Sequence, residues 1–182
     1  MEQLMVVSGR ELIKIGKLTS TVGIKGSVKV TPLFFSPDEL MDLITHYAKD
    51  IYLYSEGAFP KKLTLTSHRF GKNTITASFE EISSIKDSKD NIGKTIVVDY
   101  KEYCEYLKRT NSIIKYIGYV VEDVAMGRIG TVVNIQRQGQ KLLIIDDGTR
   151  DGKLVPFVSQ FIDNIDDENK CVKTNLPEGI FG

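Results

Sequence analysis

Short runs rich in β-branched and aromatic residues, separated by turn residues, occupy most of the chain and constrain its fold more than any other feature. Six such runs precede residue 100: LIKIGKL, SVKVTPLF, DIYLYSE, KKLTLTSHRF, TITASFE and TIVVDY. Runs of this composition are typical of β-strands, and glycines and prolines between them predict turns. Because closing a small sheet removes its exposed edges, we predict that residues 1–100 form a six-stranded β-barrel.

Two segments in this half have the start signals of short helices. SPDELMDLI begins with Ser36 as a helix cap, followed by Pro37 and two acids in the first turn. A second helix is predicted from about Ser84 to about Gly93. Residues 101–110, KEYCEYLKRT, lack strand-like alternation, so we predict a linker there with room for one helical turn.

A second β-rich pattern follows this linker. Five further runs are YIGYVVED, RIGTVVNIQRQ, QKLLIIDD, KLVPFV and KCVKTN, and FVSQFIDNID has room for one helical turn. The predicted fold is therefore mainly β, with two small β-barrel domains joined by a short linker. The predicted boundaries are 1–100, 101–110 and 111–182.

Charge is balanced over the whole chain but not along it. The 24 basic and 24 acidic residues give a formal net charge of +0, so total charge provides no argument for nucleic-acid binding. Residues 12–37 and 57–79 are basic and contain no acid, whereas residues 142–170 contain seven acids. This asymmetry predicts that the two halves bind different partners.

The first acid-free window has the pattern of a cationic hairpin with glycine corners. Gly23 and Gly26 stand where the chain must turn sharply or another surface must come close. Lysines alternate with apolar residues on either side, which favours contact with a polyanion. An ordinary solvated hairpin would have the same pattern, and spacing alone leaves both interpretations open.

No recognised spacing of catalytic or ligand-binding residues occurs. The two histidines, His46 and His68, and the two cysteines, Cys104 and Cys171, match neither a zinc pattern nor a nucleophile–base pattern. We therefore predict a binding protein with no cofactor, no metal site and no catalytic residue. The sequence contains neither a signal-peptide pattern nor an apolar run of membrane-spanning length, which predicts a cytoplasmic protein without membrane contact.

Three strings resemble one known family, over about residues 12–182. IGKLTSTVGIKGSVKV resembles the opening of the ribosome maturation factor RimM family. IGYVVEDVAMGRIGTVVNI and LVPFVSQFIDNIDDENKCVKTNLPEGIFG resemble the start and end of the PRC-barrel domain in that family. The resemblance implies an N-terminal RimM barrel followed by a PRC barrel.

The resemblance also implies a function without bond chemistry. A member of this family would act as a monomeric assembly factor of the small (30S) ribosomal subunit, supporting head maturation and 16S rRNA processing. It would bind rRNA and a ribosomal protein of the head, small-subunit protein nineteen. The predicted rRNA contacts are Lys17, Lys25, Lys29, Arg69 and Lys72, and the predicted protein contacts are Tyr116, Tyr119, Pro156 and Phe157.

One departure from the family pattern affects these assignments. RimM proteins usually have two tyrosines before the PRC barrel, and these are associated with ribosome binding. Here Asn111 and Ser112 fall near those positions, with Tyr103 and Tyr106 upstream as candidate replacements. Two other functions stay open: an RNA-binding barrel without an assembly role, and a hydrolase that uses Cys104.

Overall fold

The structure, a computed structural model, describes residues 4–110, 112–136 and 139–181. It divides into two compact units, Met1–Thr110 and Asn111–Gly182, each built around its own β-sheet. The prediction of a mainly β protein is confirmed. Within the described ranges, every helix is too short or too polar to cross a membrane.

The first unit contains an eight-stranded sheet. Its strands follow the order β5-β4-β8-β2-β3-β7-β6, with β1 paired to β2 beside this path. Six strands were predicted. The difference arises because a strand precedes the first predicted run and because KKLTLTSHRF is divided in two. The bounds are Leu4–Val7 (β1), Arg10–Val22 (β2), Ser27–Pro32 (β3), Ile51–Tyr54 (β4), Lys61–Leu63 (β5), Leu65–Phe70 (β6), Ile75–Phe79 (β7) and Thr95–Asp99 (β8).

Strand β2 organises this sheet. Its first residues pair with β1, its last with β3, and its opposite edge with β8. Register shifts between Lys14 and Gly16 and between Leu18 and Ser20 mark bulges, which add twist and let one long strand serve three neighbours. Ile15 and Leu18 are fully buried, so β2 also passes through the hydrophobic core.

Two short helices begin at the predicted caps. Helix α1, Pro37–Asp42, starts at Ser36, whose hydroxyl accepts the Glu39 N–H at 3.2 Å. It continues into a π-helical turn, Leu43–Tyr47. Helix α2, Ile85–Asn91, starts in the same way at Ser84. The predicted helix starts are therefore confirmed, since each capping serine satisfies a backbone donor that the helix leaves free.

Residues 101–110 differ from the predicted linker. They belong to helix α3, Tyr100–Thr110, within the first unit. Tyr106 is only 1% exposed, and its ring lies 5.1 Å from that of Tyr47 and 6.0 Å from that of Phe35. Burial raises the pKa of Tyr106 to about 12. These aromatic contacts hold α3 on the first domain.

The second unit contains a six-stranded sheet in the order β12-β11-β10-β9-β14-β13. The segment FVSQFIDNID, predicted to have room for a helical turn, contains one turn, closed by the Ile162 N–H to Val158 carbonyl bond of 3.1 Å, and then supplies strand β13. A short 3₁₀ turn, Ile113–Tyr116, precedes the sheet. The bounds are Val120–Asp123 (β9), Gly127–Gln136 (β10), Leu142–Asp146 (β11), Lys153–Pro156 (β12), Ile162–Asp166 (β13) and Cys171–Thr174 (β14).

A buried carboxylate joins the first and last strands of this unit. Asp123 accepts the N–H groups of Ala125 and Met126 in the turn after β9. It also accepts the Thr174 hydroxyl at 3.1 Å and the Leu176 N–H at 2.8 Å, both from the end of the chain. Burial opposes the charge, but the backbone hydrogen bonds outweigh it, so the pKa of Asp123 lies below its usual range.

Candidate nucleic-acid interface

Two of the predicted rRNA-binding cations lie in one row across the first sheet. Lys29 on β3 pairs with Ser20 on β2 and Thr76 on β7, and Thr76 also pairs with Arg69 on β6. Residues directly opposite each other in a sheet project to the same face. The neighbours of Lys29 on β3, Val28 and Val30, are buried, so the row lies on the solvent face.

A second row extends this cationic surface. Lys17 on β2 pairs with Thr31 on β3, two residues along from Lys29. The Thr19 hydroxyl bridges the rows: it donates to the Lys29 carbonyl at 3.2 Å and lies 3.3 Å from the Thr31 hydroxyl. We define the cationic face as Lys17, Ser20, Lys29, Thr31, Arg69 and Thr76. Its cations and hydroxyls are the groups that contact nucleic-acid phosphates.

The other two predicted cations lie at opposite ends of this face. Lys25 is in the β2–β3 turn, whereas Lys72 is in the β6–β7 turn beyond the other end of β3. Lys25 lies two residues before the start of β3, and Lys29 is the third residue of that strand. The structure therefore brings together Lys17, Lys29 and Arg69, and places Lys25 and Lys72 as flanking charges.

The two predicted turn glycines differ in what they contact. Gly23 and Gly26 both have positive φ, 65° and 84°. A Cβ on Gly26 would lie 2.3 Å from the Ile82 carbonyl oxygen and 2.8 Å from the Ser84 nitrogen, whereas one on Gly23 would have nothing within 4 Å. Gly26 thus packs the cationic hairpin against the start of α2, and Gly23 only turns the chain.

The cations of this surface are available to an external anion. Over the described residues, the ion pairs within 4.0 Å involve none of Lys17, Lys25, Lys29, Arg69 and Lys72. By contrast, Lys62 on β5 lies 2.6 Å from the Asp50 carboxylate. Phosphates can therefore bind the five cations without displacing a protein carboxylate.

In the second unit, two predicted protein contacts lie in the core. Tyr116 and Tyr119 are only 6% and 8% exposed, with ring centroids 5.4 Å apart. The Tyr119 hydroxyl donates to Asp167 at 3.1 Å, and burial followed by this contact raises the pKa of Tyr119 to about 12. Both rings thus pack within the second unit, and their predicted contact with a ribosomal protein stays a prediction.

The other two predicted protein contacts are partly accessible. Phe157 is half-buried, with its ring 5.2 Å from that of Tyr116, and Pro156 pairs with Leu142 across β11 and β12. Ile144 and Leu154 form the next pair on the same face, and Val133 lies at the β10 bulge. We define the apolar strip as Val133, Leu142, Ile144, Leu154 and Pro156. Sequence reasoning missed it, although the unbroken apolar run LLII was its signal.

The acids of the second unit have structural roles that sequence alone did not reveal. Asp147 accepts the N–H and hydroxyl of Thr149, and Asp166 accepts the side-chain and backbone N–H groups of Asn169. These hydrogen bonds lower the pKa of both carboxyls. The acidic residues therefore stabilise turns as well as giving the domain its negative surface.

The residues considered as substitutes for the tyrosine pair fall in different places. Asn111 lies outside the described residues, and Ser112 is buried. Tyr106 and the half-buried Tyr103 pack within the first unit around Phe35. Both tyrosines thus contribute to packing within the first unit.

A groove of about 430 Å³ in the first unit is lined by charged residues that pair with one another. His46 lies 2.9 Å from Asp42, and Arg109 lies 2.6 Å from Glu105. In the described residues, no three histidine, cysteine or acidic side chains come together as a metal site would require.

Comparison with known protein families assigns both units. The RimM N-terminal domain matches residues 13–103, and the RimM PRC barrel domain matches residues 113–180. The chain belongs to the RimM family. Its cationic face lies in the RimM N-terminal domain, and its apolar strip lies in the RimM PRC barrel domain.

Individual RimM proteins are similar over nearly the whole chain. The ribosome maturation factor RimM of Caldicellulosiruptor bescii is 26% identical over 170 residues, covering 92% of this chain and 96% of its own. That of Alkaliphilus metalliredigens is 27% identical over 176 residues, covering 94% and 98%. A RimM crystal structure from Pseudomonas aeruginosa is 20% identical, covers 91% of this chain and 98% of its own, and has a TM-score of 0.45.

Proposed function

We propose that this protein is a non-catalytic assembly factor of the small ribosomal subunit. The cationic face of its first domain binds 16S rRNA near the subunit head. Its PRC barrel binds a ribosomal protein of the head, small-subunit protein nineteen. It acts in the cytoplasm as a monomer and supports maturation of the head and processing of 16S rRNA.

The observation that carries this proposal is the alignment, on one solvent face, of cations that form no ion pair among the described residues. Lys29 and Arg69 flank Thr76 in a single row, with Lys17 in the next row. Strands lie about 4.8 Å apart, so Lys29 and Arg69, two strands apart, stand about 10 Å from each other. Such spacing lets one nucleic-acid backbone contact several cations, and each phosphate contact releases counterions. The family membership and the names of the relatives support the ribosomal target.

The apolar strip supports the assignment of a protein partner to the second domain. Leu154 is 51% exposed and Val133 is 45% exposed. Exposed apolar side chains on a sheet face are typical of protein interfaces. Asp146 is the last residue of β11, the strand that also carries Leu142 and Ile144 of the apolar strip. Its negative charge is complementary to the positive charge of a basic ribosomal protein.

Co-sedimentation tests the proposal. The protein should sediment with free small subunits and not with assembled ribosomes. A Lys17→Ala, Lys29→Ala, Arg69→Ala variant should bind subunits more weakly, with a salt slope reduced in magnitude by about two to three units. A Lys89→Ala, Lys101→Ala, Lys108→Ala variant removes the same charge from exposed helix positions and should keep the slope. Equal sedimentation with both particles, or equal slopes for both variants, would refute the proposal.

A second pair of variants tests the protein partner. Val133→Ser on the apolar strip should weaken binding to the isolated head protein and leave the salt slope for rRNA unchanged. Val124→Ser, at an exposed position in the turn after β9, is the matched control. If both valine variants bind the head protein equally well, the strip is not its contact surface.

A further inference from the structure

Strand β6 is an edge strand of its sheet. The rings of His68 and Phe70 project from the face opposite to that of Arg69. His68 pairs with Ala77, and Phe70 pairs with Ile75. Ala77 and Ile75 are buried, so the two rings project to the core side of the sheet. They nevertheless lie beyond the covered part of the core, because β6 is exposed along nearly its whole length.

Phe70 lies on the core side of the sheet, yet about half of its side chain is open to solvent. It is 53% exposed. Its ring centroid lies 5.2 Å from that of His68, with the two planes 73° apart. Packing edge to face, the histidine supports one side of the Phe70 ring. The remaining exposed ring surface is flat, apolar and held in place by the sheet.

The residues that flank this ring along the chain are cationic. Arg69 precedes it on the opposite face, and Lys72 lies two residues on, in a turn closed by the Gly71 N–H to Thr74 carbonyl bond of 2.7 Å. Residues 57–79 contain no acid. An apolar protein ligand gains nothing from these charges, whereas a nucleotide offers a phosphate to the cations and a base to the ring.

We propose that Phe70, supported by His68, is a stacking site for an unpaired RNA base whose phosphates contact Arg69 or Lys72. This site deepens the proposed rRNA-binding function and rests on it. A paired base in a helix is already stacked on its neighbours and cannot cover the ring, so the site selects single-stranded or looped rRNA.

A fluorescent variant tests the site directly. The chain contains no tryptophan, so Phe70→Trp introduces a single indole at the stacking position. A single-stranded RNA nonamer should quench its emission with saturation, and a duplex of the same length should not. Phe59→Trp, in the loop between β4 and β5 where Phe59 is 79% exposed, is the matched control and should not be quenched. Absent quenching, or equal quenching by the duplex, would refute the stacking site.

A second variant measures affinity. Phe70→Leu keeps an apolar side chain and should leave the melting temperature unchanged. It should weaken single-strand binding about tenfold, with an unchanged salt slope, because stacking is lost while phosphate contacts stay. Unchanged RNA affinity combined with weaker binding to the isolated head protein would make Phe70 a protein contact and refute the proposal.

The outcomes separate this proposal from the function on which it rests. Sedimentation with small subunits, combined with no quenching of Phe70→Trp, would leave the assembly function intact and remove the stacking site. Quenching by the nonamer without sedimentation would keep the stacking site and remove the assembly function.

Discussion

Gly26 shows how one residue fixes the position of the cationic hairpin. Both Gly23 and Gly26 have positive φ, so alanine at either position adopts a disfavoured backbone conformation costing about 1–2 kcal/mol. Only at Gly26 would the added methyl also collide with the backbone of Ile82–Ser84. Sequence reasoning predicted both turns but could not separate them, because the neighbour of Gly26 lies more than fifty residues away.

Paired alanine variants test this difference by thermal unfolding. Gly23→Ala should lose about 1 kcal/mol of stability, the backbone cost alone. Gly26→Ala should lose clearly more, since either the β2–β3 turn or the start of α2 must shift. Equal losses would mean that the turn moves freely and that the contact with α2 does not restrain it.

Asp123 makes the stability of the second domain depend on pH. Its folded pKa is lowered, so its contribution is fully present above the unfolded value of about 3.9 and is lost as pH falls through the folded pKa. Asn offers one acceptor and turns an amide N–H towards donors, so Asp123→Asn should cost about 2 kcal/mol at pH 7. The difference in unfolding free energy between the Asp123→Asn variant and the unsubstituted protein should decrease below about pH 4.

Thermal melts of the two proteins between pH 3 and pH 7 measure this effect. Asp163→Asn, at an exposed position on β13, is the matched control and should change the melting temperature little at any pH. A constant difference between Asp123→Asn and the unsubstituted protein over this range would contradict the role given to the carboxylate.

At the scale of elements, helix α3 completes the first domain. A fragment that ends at Thr110 should show a cooperative thermal transition. A fragment that ends at Asp99 should melt at a much lower temperature or without cooperativity, because it loses the buried Tyr106 ring; removing a buried aromatic side chain costs about 3–5 kcal/mol. Identical melts of the two fragments would support the linker that the sequence suggested.

Helix α3 and strand β13 were not predicted from the sequence, and the physical reason is the same for both. Tyr100, Tyr103, Tyr106, Leu107 and Thr110 follow helical spacing, but three of the four large members are tyrosines among charged residues, so the apolar face is weak in composition. In β13, acids and Asn164 occupy every position outside the isoleucines. Caps such as Ser36 and Ser84 were predictable because their hydrogen bonds are local, whereas these two elements depend on tertiary contacts.

The positions of the candidate site residues also depend on contacts between segments that are distant in the sequence. Sequence identified the acid-free windows and so selected Lys17, Lys29 and Arg69. It could not reveal that Lys29 and Arg69 share the partner Thr76, because strand register depends on pairing between distant segments. Nor could it reveal that Tyr116 and Tyr119 are buried while Leu154 is exposed, since alternation defines two faces without showing which one is covered.

At the scale of the whole molecule, each unit pairs a strand near its start with a strand near its end. In the second unit, β9 near its start pairs in parallel with β14 near its end, over Val120–Asp123 and Cys171–Thr174. Strand β10 joins this arrangement through β9. The carboxylate of Asp123, on β9, also accepts a hydrogen bond from the N–H of Leu176, which follows β14.

This pairing sets the order in which the protein matures during its own synthesis. Domains form as their residues emerge, starting from the N-terminus. The first domain has all its strands and α3 once Thr110 has appeared. The second lacks both the central strand β14 and the partners of Asp123 until residues 171–176 have been synthesised. A ribosome that stalls after Thr110 has emerged but before Cys171 has been added would therefore carry a folded first domain and an unfolded second one.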